Sequence, residues 1–343
     1  MARRSRNQAL TAAALAGALG AAGWVSARHT ARESAARRAA SDRGRPIDVT
    51  GSSGGRLVAR IHGPDDAPSL VLVHCWTGTQ ELWHKQVSAL AGELRIVTYD
   101  HRGHGISDPA PDADYSLEAL AHDLDAVLAA TVPPGQRPLL AGHSMGAMTI
   151  AAWADAHAGD IAERAAGAAL MSTGLEGLTA ESALVRPLPG PFDTVQGRLA
   201  DAFLEAPASI QGIPVPIIRA AAAYAALGPG ARHEDVDLTA RMALDCTTRA
   251  RAGCGRSMAR MNLSHAVSEL TIPTIVIAGE RDLMTPIAHA ERIETALPRS
   301  LGLRVDPDAG HMTPLESPDL VNDALRELTR AVAEGSAESK LAA

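Results

Sequence analysis

Short apolar runs recur along this chain from residue 47 onward, and stretches with helical spacing lie between them. "SLVLVHC" from Ser69, "LRIVTYD" from Leu94, "RPLLAGHS" from Arg137, "AAGAALMSTG" from Ala165 and "TIPTIVIAGE" from Thr271 read as strands buried on both faces. "RLVARIHG" from Arg56 precedes them and "LGLRVDPDAG" from Leu301 follows. The segments between, among them "SLEALAHDLDAVLAATV" with Ser116 as N-cap, place apolar residues at helical intervals. Repeated β-α-β units imply a doubly wound, mostly parallel sheet with helices on both faces, so the fold class is α/β.

Residues 175–265 break the rhythm. "PLPGPF", "GIPVPII" and "LGPG" alternate there with helical stretches such as "VDLTARMALDCTTRARAG" from Val236. This interval predicts an inserted helical lid. The chain then divides into an N-terminal hydrophobic segment with an Arg-rich linker (1–46), a core in two parts (47–174 and 266–335), the lid insertion (175–265) and a disordered tail (336–343).

Charge separates the first segment from the rest. The chain carries −7 in total, yet residues 1–46 hold nine arginines against Glu33 and Asp42, so the remainder carries −14. An acidic body lacks the positive footprint that a nucleic-acid backbone needs. The uncharged run 7–27 is about long enough to cross a bilayer. Arginines flank it on both sides, and positive flanks tend to stay cytoplasmic, so membrane association through residues 7–27 is the expectation, with secretion or a cytoplasmic location as alternatives. Three cysteines, Cys75, Cys246 and Cys254, are too few for a disulfide framework and read as free thiols.

In a parallel sheet, functional groups gather beyond the carboxyl ends of the strands. One such end reads Gly142-His143-Ser144-Met145-Gly146 and leads straight into a helical pattern. Glycines on both sides of a serine suit a sharp strand-to-helix turn that presents the hydroxyl, because a Cβ at either place would crowd the backbone. A serine hydroxyl needs a base to become a nucleophile, and the base needs a carboxylate to orient it. His311 stands after the last strand in "DPDAGHMTPLESP", and Asp282 stands past another strand in "IAGERDLMTP". The developing oxyanion would take the backbone N–H groups of Met145 and of Trp76, the latter in the loop His74-Cys75-Trp76-Thr77-Gly78. His101 and His104, without a further ligand cluster, do not make a metal site. No P-loop or dinucleotide fingerprint occurs, so no cofactor is expected.

"HCWTG", "YDHRGHGISD", "GHSMG", "GERDLMTP" and "GHMTPLESP", in this order, resemble the motifs of the α/β-hydrolase superfamily, and most closely its bacterial lid-bearing esterases, lipases and perhydrolase relatives. The resemblance covers about residues 55–333. It implies a cofactor-free serine hydrolase with Ser144 as nucleophile, Asp282 as acid and His311 as base, acting on hydrophobic carboxylic esters. Perhydrolase or haloperoxidase-like chemistry or acyl transfer with the same triad, and a non-catalytic small-ligand receptor, are the alternatives. Asp100, Arg102 and Ser107 match a structural turn of the family. His143 is expected to pack or bond locally. Cys75 departs from the pattern, which has glycine there, and could narrow the pocket or expose a thiol to oxidation.

Overall fold

The computed structural model describes residues 44–184 and 213–342. Residues 1–43, with the apolar run 7–27, and residues 185–212 of the insertion lie outside them. In chain order the principal elements are β1 (Arg45–Thr50), β2 (Arg56–His62), β3 (Ser69–Val73), α1 (His84–Leu90), β4 (Arg95–Tyr99), α2 (Leu117–Thr131), β5 (Leu139–His143), α3 (Met145–Ala156) and β6 (Gly167–Met171). Then follow α4 (Val215–Ala226), α5 (His233–Asp245), α6 (Thr248–Arg260), β7 (Thr274–Gly279), α7 (Ile287–Ala296), β8 (Ser300–Asp306) and α8 (Pro318–Ala342).

The eight strands form one sheet in the order β1-β2-β4-β3-β5-β6-β7-β8. β1 and β2 pair antiparallel, as do β2 and β4, and every pair from β4 onward is parallel. The strand period of two explains why the inner runs are apolar throughout. Val71, Val73, Leu140, Leu170 and Val276 join one buried cluster with side chains of α2, α3 and α7. Their neighbours Leu70, Leu72, Leu139, Ala169 and Ile275 join a second cluster with α1 and α8. Helices therefore cover both faces, and the strand ends remain available for chemistry.

Ser116 caps α2, its side chain accepting from the Ala119 N–H. Three elements depart from the sequence reading. β1 starts at Arg45, inside the stretch assigned to the linker; it is an edge strand with mostly exposed side chains and so has no apolar run to announce it. The helical stretch from Val236 is two helices, because Cys246 and Thr247 adopt extended backbone and the Thr247 hydroxyl caps α6 at Ala250. The backbone of the expected disordered tail is helical as far as Ala342; "AVAEGSAESKLA" contains no proline to stop it. Among the described residues, no helix is long and apolar enough to cross a membrane.

Candidate active site

β5 delivers Ser144 at a sharp turn into α3. Ser144 has φ 53° and ψ −117°, a conformation costly for a residue with a side chain. Its N–H donates to the Met171 carbonyl of β6 at 2.8 Å, and its own carbonyl takes the Thr173 hydroxyl at 3.1 Å. A Cβ on Gly146 would lie 2.0 Å from the Val73 carbonyl oxygen, and one on Gly142 would lie 2.5 Å from the Ala147 nitrogen. Both glycines are there because backbone passes where a side chain would be. The helix α3 starts at Met145 and points its amino end at the serine.

Asp282 and His311 meet across the ends of β7 and β8. Asp282 Oδ2 lies 2.7 Å from His311 Nδ1, and both residues are buried. The other carboxylate oxygen accepts the N–H groups of Met284 and Thr285 at 2.8 and 2.9 Å, and the Thr285 hydroxyl donates to Oδ2 at 2.7 Å. Burial disfavours the carboxylate, but the facing imidazole and the Thr285 donors outweigh it and hold Asp282 below its ordinary range. An ionised carboxylate can only accept, so His311 carries a proton on Nδ1, and the neutral ring then has its lone pair on Nε2. The His311 carbonyl accepts the Nε2–H of His143 at 2.7 Å, and the two rings are 5.0 Å apart. That bond sets His311 beside the serine's own strand. Ser144 Oγ makes no hydrogen bond to His311 among the described residues; such contacts commonly tighten only with substrate bound.

The loop after β3 is set from below by histidines. His74 Nε2 accepts the His101 N–H at 3.0 Å, so its proton sits on Nδ1 and goes to the Cys75 carbonyl at 2.8 Å. The Gly78 N–H also reaches the Cys75 carbonyl, at 3.0 Å, and Thr77 has φ 57°. The Trp76 indole N–H donates to the Arg251 carbonyl of α6 at 2.9 Å. Among the described residues, the backbone N–H groups of Trp76 and Met145 have no hydrogen-bond partner.

A family profile described as alpha/beta hydrolase fold matches residues 68–210. 3-Oxoadipate enol-lactonase 1 of Acinetobacter baylyi is 25% identical over 291 residues, which is 80% of this chain and 92% of that protein. A thermophilic esterase from Thermogutta terrifontis has TM-score 0.67 and 25% identity over 84% of this chain and 99% of its own. The chain has the α/β-hydrolase fold. At the level of fold alone, the esterase RhEst1 from Rhodococcus sp. ECU1013 is similar too, with TM-score 0.69 at 23% identity over 84% of this chain and 99% of its own.

In this chain the "DHRGHGIS" turn ties loops together, as its resemblance implied. Asp100 accepts the Gln80 N–H at 2.8 Å and the Ile106 N–H at 3.1 Å, and the Ser107 hydroxyl donates to the Asp100 carbonyl at 2.7 Å. Arg102 forms a bidentate pair with Asp123 at 2.6 and 2.7 Å. His101 and His104 donate to the His74 and Arg102 carbonyls, and among the described residues no group of three or more His, Cys, Asp or Glu could hold a metal. Cys75 is buried, and burial pushes its thiol up to about 12, so the exposed thiol raised by the sequence is corrected: the side chain is enclosed and disfavoured as a thiolate. His143 does not bond locally; its partner is 168 residues away. Asp123, Thr285 and His143 were not legible as partners, since their contacts span distant segments or depend on a loop's exact path.

Proposed function

We propose that this hydrolase cleaves carboxylic esters of small to medium hydrophobic substrates through an acyl-Ser144 intermediate. The observation that carries the reading is the 2.7 Å pair of His311 Nδ1 with an ionised Asp282, which leaves Nε2 able to accept a proton. His311 takes the Ser144 proton as Oγ attacks the ester carbonyl, and Asp282 steadies the imidazolium. The N–H groups of Met145 and Trp76 receive the oxyanion. The alcohol leaves with the proton from His311, and water, activated by the same imidazole, then releases the acid. The helices α4–α6 act as the lid; support comes from α4, whose terminal Ala226 carbonyl accepts the N–H groups of His311 and Met312 at 3.0 and 3.1 Å. Exposed Val215, Ile217 and Tyr224 on α4 favour an apolar substrate.

The test is labelling by a fluorophosphonate probe, for wild type and Ser144→Ala, with a p-nitrophenyl ester chain-length series. Labelling and turnover should both vanish in Ser144→Ala. A folded wild type that neither labels nor turns over any ester would replace the enzyme with a small-ligand receptor. Membrane attachment through residues 7–27 is a separate part of the proposal; recovery of the full-length chain entirely in the soluble fraction would refute it.

A further inference from the structure

His311 is held by its backbone as much as by Asp282. Its carbonyl takes the His143 ring and its N–H goes to Ala226 at the end of α4. The peptide groups on either side converge on one side chain. Glu316 accepts the Gly310 N–H at 3.1 and 3.2 Å through its two oxygens, and the Met312 N–H at 3.0 Å. Its Oε2 also accepts the Gly228 N–H, which lies two residues past α4. Gly228 and Gly310 approach so closely that a Cβ on Gly310 would lie 2.5 Å from the Gly228 nitrogen. A Cβ on Gly228 would lie 2.2 Å from the Asp308 carbonyl oxygen. Two chain segments 82 positions apart therefore meet backbone to backbone, and a single carboxylate closes the junction.

We propose that Glu316 is a positioning residue for the base: it fastens the peptide groups flanking His311 and the end of α4 into one unit, so that the inserted helix and the imidazole hold a common position. The inference rests on the acyl-serine reading for its kinetic consequence, but the placement of His311 is independent of it. A glutamate is the residue type this needs. Three N–H donors meet two oxygens, and a carboxylate can accept all of them at once. A glutamine would offer one acceptor oxygen and turn an NH2 donor toward a donor.

The test is Glu316→Gln in the full chain, with two readouts that a merely structural role would not move together. The first is the low-field NMR resonance of the His311 Nδ1 proton shared with Asp282, which requires no turnover. It should shift or broaden in Glu316→Gln. The second is the split of p-nitrophenyl ester kinetics: kcat and the fluorophosphonate labelling rate should fall about 10- to 100-fold, the scale of a sub-ångström to 1 Å misplacement, while KM stays within a factor of about three. If Glu316→Gln does not fold, Glu316→Asp, which keeps the charge and loses the reach, is read the same way. A resonance and a kcat both at wild-type values would overturn the proposal, and so would a rise in KM alone. A shifted resonance in a protein whose wild type never labels would leave Glu316 as the positioning group and refute the acyl-serine reading instead.

Discussion

The bond from His311 Nδ1 to Asp282 decides which imidazole nitrogen can act, and its environment is arranged to keep Asp282 charged. The carboxylate is buried, accepts Met284, Thr285 and His311, and is held below its ordinary range. An amide at this position would satisfy the same volume with a different hydrogen-bond grammar. Met284 and Thr285 already demand an acceptor on one side, so the NH2 of Asp282→Asn would turn toward His311. The ring would answer by accepting at Nδ1, which places its proton on Nε2 and leaves no lone pair for Ser144. The expected loss in kcat is about 10³- to 10⁴-fold with little change in fold, measured on the best p-nitrophenyl ester alongside near-UV circular dichroism. A variant within tenfold of wild type would mean that another group orients the base.

Elements bring these residues together through a few long-range polar ties as well as through the apolar core. The bidentate pair of Arg102 and Asp123 joins the loop after β4 to α2, and both side chains are buried. Asp123 also accepts the Ser52 N–H from the β1–β2 turn at 2.9 Å. Arg102→Met would keep most of the volume and strand a carboxylate in the interior, at a cost of about 3–5 kcal/mol. Urea unfolding should show that loss as a lower midpoint at constant slope, and a change under about 1 kcal/mol would show that water reaches Asp123. The same contrast explains what the sequence could reveal. The inner strands were legible because burial on both faces forces an unbroken apolar run, and Ser144, Asp282 and His311 were legible because each follows the carboxyl end of a strand within five residues. β1 was not, because its outward residues are polar and its pairing partner supplies the order. The break at Cys246–Thr247 was not, because an N-cap threonine in "DCTTRA" carries no glycine or proline to mark it. Glu316 was invisible as a clasp, since nothing local to "PLESP" names Gly228 as its partner.

At the scale of the whole molecule, the buried histidines govern how the fold meets acid. Burial, aided at His62 by Arg60, lowers its pKa to about 4. Burial likewise lowers His74 to about 4, and His104 and His143 to about 3. In the unfolded chain each would titrate near 6.5. Between pH 6.5 and 4 the unfolded state therefore binds protons that the folded state refuses, so stability is present above 6.5 and is lost as pH falls. Each imidazole contributes about 1.4 kcal/mol per pH unit once engaged, and four together contribute roughly 5 kcal/mol per unit. Asp100 and Glu316, pushed up by burial, work in the opposite sense, taking up protons in the folded state above the ordinary carboxylate range and softening the fall. Asp282, held low, adds its own loss only below the ordinary carboxylate range. Against a total stability of about 5–15 kcal/mol, the histidine slope is large enough to unfold the domain between about pH 4 and 5. Following near-UV circular dichroism against pH, with potentiometric titration of the protons taken up, would read both quantities. Cooperative unfolding in that window with an uptake of several protons is the expected result. A native signal persisting to pH 3 with the protons taken up near pH 6.5 would mean that these imidazoles charge within the fold, which the packing of His74 and His104 beneath the Trp76 loop and of His143 beside His311 does not allow.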